Sequence, residues 1–256
     1  MSRRLWERDE MILALELYHK LPFGRLNHST PEVKELATLI NRTPSSVALR
    51  LVNYASCDPL ITSSGRSGMS GGYEKCLPYW TEFQNDIERL FLLAAKLKAA
   101  KKNKSIEEEL SLTDEDFTGH EKERVIRQRI GQSAFHDMIL ANYNSTCAIT
   151  GINIPELLVA SHIIPWAANE EMRLNPSNGI CLSPLYDKVF DLGFIGIRPD
   201  DYTIILSKEL KENKSKLFFD KHFKNIENQQ IILPHRAKPN QLFLQYHLDE
   251  IFAKHE

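Results

Sequence analysis

Apolar and polar positions alternate with a helical period over most of the first hundred residues. In WERDEMILALELYHK (6–20), Trp6, Met11, Leu13, Leu15, Leu17 and Tyr18 fall at roughly helical intervals, and Pro22 and Gly24 stop the helix. In STPEVKELATLI (29–40), Ser29 or Thr30 can cap, Pro31 suits the first helical position, and Val33, Leu36, Ala37 and Ile40 form an apolar stripe. The signature recurs in TPSSVALRLVNY, with Thr43 as cap, Pro44 next, and Val47, Leu51 and Tyr54 facing inward. Two capped helices with a tight join predict a helix-turn-helix. Residues 56–79, rich in Gly, Ser and Pro, read as a long loop, with 61–72 its most loop-like part. WTEFQNDIERLFLLAAKLKAAKK (80–102) then reads as one helix burying Trp80, Phe83, Ile87, Leu90, Phe91 and Ala94.

From residue 120 the pattern changes. EKERVIRQRIGQSAFHDMILANY (121–143) predicts a helix with Val125, Ile126, Ile130, Phe135, Met138, Ile139 and Tyr143 on its buried side. CAITG (147–151) reads as a strand and turn, ELLVASHIIP (156–165) as a second strand and GICLSP (179–184) as a third. LYDKVFDLG (185–193) is a short helix ended by Gly193, followed by strands at FIGI (194–197) and YTIILS (202–207) and a last helix, QLFLQYHLDEIF (241–252). The fold class is α+β: a mostly helical N-terminal domain over 1–95, a charged linker over 96–118 and a second domain over 119–256.

Composition narrows this only slightly. A chain of 256 residues, 42% hydrophobic, can bury one large or two modest cores. No run of eighteen apolar residues occurs and charges interrupt the N-terminal apolar positions, so a soluble, cytoplasmic protein with no membrane partner is expected. Cys57, Cys76, Cys147 and Cys181 contain no C-x-x-C pair, which argues against a disulfide framework and a structural zinc site. Cys147 and Cys181 read as core residues.

The net charge of -2 hides strong local asymmetry: KLKAAKKNK (96–104) carries five lysines, and IEEELSLTDEDF (106–117) six acids. They read as a solvated helix end and an acidic linker. Two sets of cations are candidate contacts for a phosphate backbone. Arg42, Ser45, Ser46 and Arg50 surround the second helix of the capped pair, which would otherwise belong to a small bundle that never meets DNA. Arg124, Arg127, Arg129 and Gln132 form a ridge on the 121–143 helix.

Phosphodiester hydrolysis needs a base for water, charge to stabilise the phosphoryl oxygens, and cations to hold the backbone. His162 follows the β-branched and aliphatic run LLVA, so its imidazole should lie at a strand end, neutral and able to accept a proton. Asp187 and Asp191 are four apart and share a helix face, and two carboxylates plus water suit Mg²⁺.

The order His162, Asn178, Asp187, Asp191, set on strand, loop and helix, resembles the HNH endonucleases and their ββα-metal motif. RQRIGQSAFHDMILANYNSTCAITG, LVASHIIPW, RLNPSNGICLSPLYDKVFD and FLQYH are similar to a restriction or antiviral-defence branch of that family, and WxRDE with RTPSSVALRLVNYASCDP to a helical domain that precedes such nucleases. The resemblance implies that His162 is the general base and that Asn178 braces the loop and orients the imidazole by hydrogen bonds. Asp187 and Asp191 would hold one divalent ion, Mg²⁺ with Mn²⁺ as the alternative, and Arg173 would join the DNA contacts. It implies DNA, double-stranded, as substrate, with a second copy or a defence-system protein as partner. Many family members place Asp or His before the base as another ligand, whereas this chain has Ser161. Two other readings use the same residues: a helix-turn-helix DNA-binding protein with an inactive HNH domain, or a nuclease switched on by a ligand or partner at the N-terminal domain.

Overall fold

A computed structural model describes residues 4–63, 65, 68–112, 119–212 and 215–255. They form two compact units, Met1–Asp137 and Met138–Glu256. The division therefore falls inside the long 121–143 helix and not in the charged segment 96–118.

The first unit is helical: α1 (Arg8–Lys20), α2 (Pro31–Leu39), α3 (Pro44–Ala55), α4 (Pro59–Thr62), α5 (Tyr73–Phe83), α6 (Ile87–Lys101), α7 (Ile106–Glu109) and the first part of α8 (His120–Asn142). α1 is its centre, buried from Glu10 to Tyr18. A helix covered on all sides must pair its charged residues. Glu10 is held by Arg4 and, at 2.6 Å, by Arg42; Glu16 is held by Lys98 at 2.7 Å and Lys20 at 2.9 Å. Burial works against both ionised carboxyls, yet these cations outweigh it and hold both pKa values below the usual range.

The capped pair forms as the sequence predicts. Thr43 Oγ1 accepts from Ser46 N at 3.2 Å at the start of α3, and Val47, Leu51 and Tyr54 are buried. Tyr54 Oη donates to Met11 O at 2.9 Å, joining α3 to α1. The same packing engages two of the cations read as DNA contacts, Arg42 and Arg50. Arg50 is 8% exposed, lies 4.8 Å from the Trp6 ring centroid and donates to Cys76 Sγ, while Arg42 lies 4.4 Å from the same centroid and pairs with Glu10. Both guanidiniums are spent inside the unit.

Two expectations are corrected here. Residues 73–79 are helical, because Cys76, Trp80 and Phe83 are buried at i, i+4 and i+7, a spacing that Gly, Ser and Pro in the preceding segment disguise. The helix expected over 80–102 is two helices, since Asp86 Oδ1 accepts from Arg89 N at 3.1 Å and caps a new start at Ile87. Part of the expected linker is also ordered structure: 96–101 completes α6, and Ser105 caps α7. Residues 64, 66 and 67 of the Gly/Ser stretch and 113–118 of the acidic stretch lie outside the described residues.

The second unit holds the end of α8, then β1 (Val159–His162), β2 (Gly179–Leu182), α9 (Pro184–Asp191), β3 (Ile195–Ile197), β4 (Ile204–Leu206), α10 (Lys208–Lys211), α11 (Lys216–His222) and α12 (Gln241–Glu250). β1 and β2 are antiparallel, pairing Val159 with Leu182 and His162 with Gly179; β3 and β4 form a second antiparallel pair. CAITG is not a strand. It is a turn closed by Gly151 N donating to Cys147 O at 3.0 Å, with Gly151 at φ +70°. The chain is α+β, a helical region followed by small antiparallel sheets. Among the described residues no helix is long and apolar enough to cross a membrane.

Candidate active site

β1, β2 and α9 are consecutive in the fold and pack as a hairpin followed by a helix. β2 is buried along its whole length, which fixes the hairpin in the interior. Pro184 opens α9 at a position where a missing N–H costs nothing, and Gly193, at φ +80°, closes it. The helix therefore has eight residues, enough for two turns and both acids.

His162, the last residue of β1, is half-buried. Its Nε2 lies 3.0 Å from the carbonyl oxygen of Arg173 and must donate, so in the neutral ring Nδ1 is the nitrogen able to take a proton. Burial and the nearby Arg173 charge push its pKa below the usual value, against the pull of that hydrogen bond. Trp166 meets the imidazole edge-on, ring centroids 5.4 Å apart.

Asn178 is 1% exposed and binds the loop from within. Its Oδ1 accepts from Ile164 N at 2.8 Å, and its Nδ2 donates to Ile164 O at 3.2 Å and Met172 O at 3.1 Å. The amide thus fixes residue 172, and residue 173 fixes the imidazole. Asn178 thus joins the two sides of the loop through backbone groups, and its side-chain bonds among the described residues go to Ile164 and Met172.

Arg173 is also turned into the loop. Its Nε donates to Trp166 O at 2.8 Å, its guanidinium lies 5.1 Å from the Trp166 ring centroid, and Glu170 pairs with it at 3.1 Å. Arg124, Arg127, Arg129 and Gln132 are all exposed on α8.

Neighbouring strand positions face opposite sides, so Ser161 turns away from the His162 loop and towards α9. Ser161 is 2% exposed, and its Oγ makes no hydrogen bond of standard geometry among the described residues. It nevertheless lies near enough to Asp187 and Asp191 to favour both ionised carboxylates. Burial overrides that help. Asp187 is raised above the usual carboxylate range by burial, and Asp191 is raised to about 6 by burial and by the Asp187 charge, with Lys188 opposing in both cases.

Two acids that resist ionising together, beside a buried hydroxyl, make an oxygen-rich position. Such donors fit a hard divalent cation. Among the described residues no group of three or more His, Cys, Asp and Glu converges on one metal position.

Residues 147–198 match the family model of HNH endonucleases. The match covers about a fifth of the chain and contains His162, Asn178, Asp187 and Asp191. No curated protein matches the chain. An HNH endonuclease domain carries a nuclease-type function on DNA, and the ridge on α8 and the helical unit lie outside the matched segment.

Sequence reasoning missed the contributions of four residues within the matched segment. Trp166 follows Pro165 in a segment without periodicity, and the carbonyls of Met172 and Arg173 have no sequence signature. Cys147 Sγ accepts from Thr150 N at 3.4 Å and Ser183 N at 3.3 Å, tying the turn to the N-cap of α9. A C-x-x-T spacing alone does not reveal that.

Proposed function

We propose that the protein is a divalent-metal-dependent HNH endonuclease that hydrolyses phosphodiester bonds of double-stranded DNA, in restriction or antiviral defence. The observation that carries the metal-dependent reading is the Ser161, Asp187 and Asp191 cluster, in which two acids on one face of α9 are held above their usual pKa range beside a buried hydroxyl. The defence role rests on the sequence resemblance to that branch of the family.

His162 Nδ1 takes the proton of the attacking water as the water oxygen bonds to phosphorus. The Arg173 carbonyl holds the ring in the tautomer this requires and is favourable to the imidazolium that forms. The bond from phosphorus to the 3′ oxygen breaks, and that oxygen takes a proton from solvent, leaving 5′-phosphate and 3′-hydroxyl ends. Asp187 and Asp191 would hold Mg²⁺, or Mn²⁺, which when bound supplies positive charge to the phosphoryl and departing oxygens. Ser161 Oγ is suited to accept or donate to water around that ion, standing in for the charged ligand of other family members.

Arg124, Arg127, Arg129 and Gln132 are the proposed backbone contacts, being exposed along one helix. Arg173 acts on the loop first and on DNA only through the charge it leaves there. The N-terminal unit is proposed to recognise DNA or a partner protein with surfaces other than Arg42 and Arg50.

Supercoiled plasmid incubated with the full chain and Mg²⁺ or Mn²⁺ should be nicked or linearised, and chelation should stop it. Asp187→Ala should lower the rate by about a hundredfold or more. Undiminished cutting by Asp187→Ala, or equal cutting in chelator, would overturn the metal-dependent reading.

A further inference from the structure

α9 carries both acids on only eight residues, and its end is held from outside the matched segment. His247, on α12, is 1% exposed. Its ring lies parallel to that of Phe190, centroids 3.8 Å apart and planes 1° apart, and its Nε2 donates to Phe190 O at 2.9 Å. The same carbonyl accepts from Gly193 N at 2.9 Å. The carbonyl already closes the last turn of α9 through the backbone, and the imidazole adds a side-chain donor to it from another helix.

A plain core role does not account for this histidine. Leu or Phe would fill the space without a polar atom, whereas His247 Nδ1 is buried with no partner among the described residues, a cost an apolar side chain avoids. What the imidazole adds is the donor to Phe190 O, one residue before Asp191. At the other end of the helix, Cys147 Sγ accepts from Ser183 N. Burial also lowers the His247 pKa to about 4, which keeps the ring neutral and the Nε2 tautomer in place at neutral pH.

We infer that His247 is a positioning residue for the acid pair: by clamping Phe190 through ring and carbonyl, it sets where Asp187 and Asp191 stand relative to Ser161. This rests on the reading of those acids as metal ligands, and it assigns a role in the site to a side chain from the last helix of the chain.

The test compares the full-length protein with H247F, which keeps a ring but no donor, and H247Q, whose amide restores a donor near Nε2. Two quantities are read: hydrogen exchange of the α9 peptide by mass spectrometry and Mn²⁺ affinity by calorimetry. H247F should exchange faster over α9 and bind Mn²⁺ about tenfold more weakly, and H247Q should recover to within about threefold of wild type. If the phenyl variant does not fold, H247M removes the donor with a more adaptable side chain and is read in the same way. Wild-type Mn²⁺ affinity in H247F, or faster exchange with no change in affinity, would overturn the inference. A wild-type protein that binds no Mn²⁺ would instead sink the metal reading. Exchange alone then decides the clamp: faster exchange in H247F rescued by H247Q supports it, and unchanged exchange overturns it.

Discussion

Asp191 pays for its place beside Asp187. Its pKa, raised to about 6, means that the folded protein takes up a proton as pH falls from 7 towards 4, where the unfolded chain still has an ionised carboxylate. Fewer protons are bound in the unfolded state across that window, so this residue's contribution to stability rises as pH falls and is least above pH 6. Asp191 is exposed as a whole residue, so solvent screening reduces the effect to about 1 kcal/mol. In metal-free buffer, Asp191→Asn should therefore be about 1 kcal/mol more stable than wild type at pH 7, with the difference vanishing near pH 4. Denaturant titrations at several pH values check this, and a variant equal to or weaker than wild type at pH 7 would contradict it.

At this scale the placement of the candidate residues on their elements was legible. His162, Asp187 and Asp191 stand out because strand end and helix spacing are local properties. The partners were not. Asn178 reaches Ile164 and Met172, and Arg173 lends its carbonyl to the imidazole, because the loop folds back on itself. Arg50 shows the same limit: a cationic residue midway along a capped helix looks solvent-facing until Trp6 and Cys76 are placed around it.

Elements with caps and long apolar stripes, such as α2, α3, α8, α9 and α12, are readable because their signals are contained within one segment. Breaks and short turns are less so. CAITG has strand-like composition but is bent by Gly151 and by the sulfur of Cys147, and Asp86 cuts a continuous apolar stripe with a single side-chain bond. α10 and α11 have too few residues to show a period. Gly193 is a case in which the sequence reading and the packing agree. It lies at φ +80°, and a Cβ there would come within 2.5 Å of Ile251 O, a backbone atom that cannot turn aside. Gly193→Ala should cost about 2 kcal/mol or more, measured by chemical denaturation of the full chain. A loss below about 0.5 kcal/mol would show that the turn after α9 tolerates a side chain.

For the molecule as a whole, composition indicated enough apolar residues for two cores but not where they divide. The charged segment looked like a boundary because like charges usually mark solvated chain, yet Lys98 is drawn to the buried Glu16 and Ala99 is buried, so α6 belongs to the first unit. The division at Asp137 lies within a helix and leaves no compositional trace. His162 is proposed to activate water for cleavage of DNA. Single-turnover cutting of a plasmid by His162→Ala, with Mn²⁺ affinity measured on the same sample, tests it most directly. The rate should fall by about 10²- to 10⁴-fold while Mn²⁺ binding stays at the wild-type level. Cutting at the wild-type rate by this variant would contradict the account.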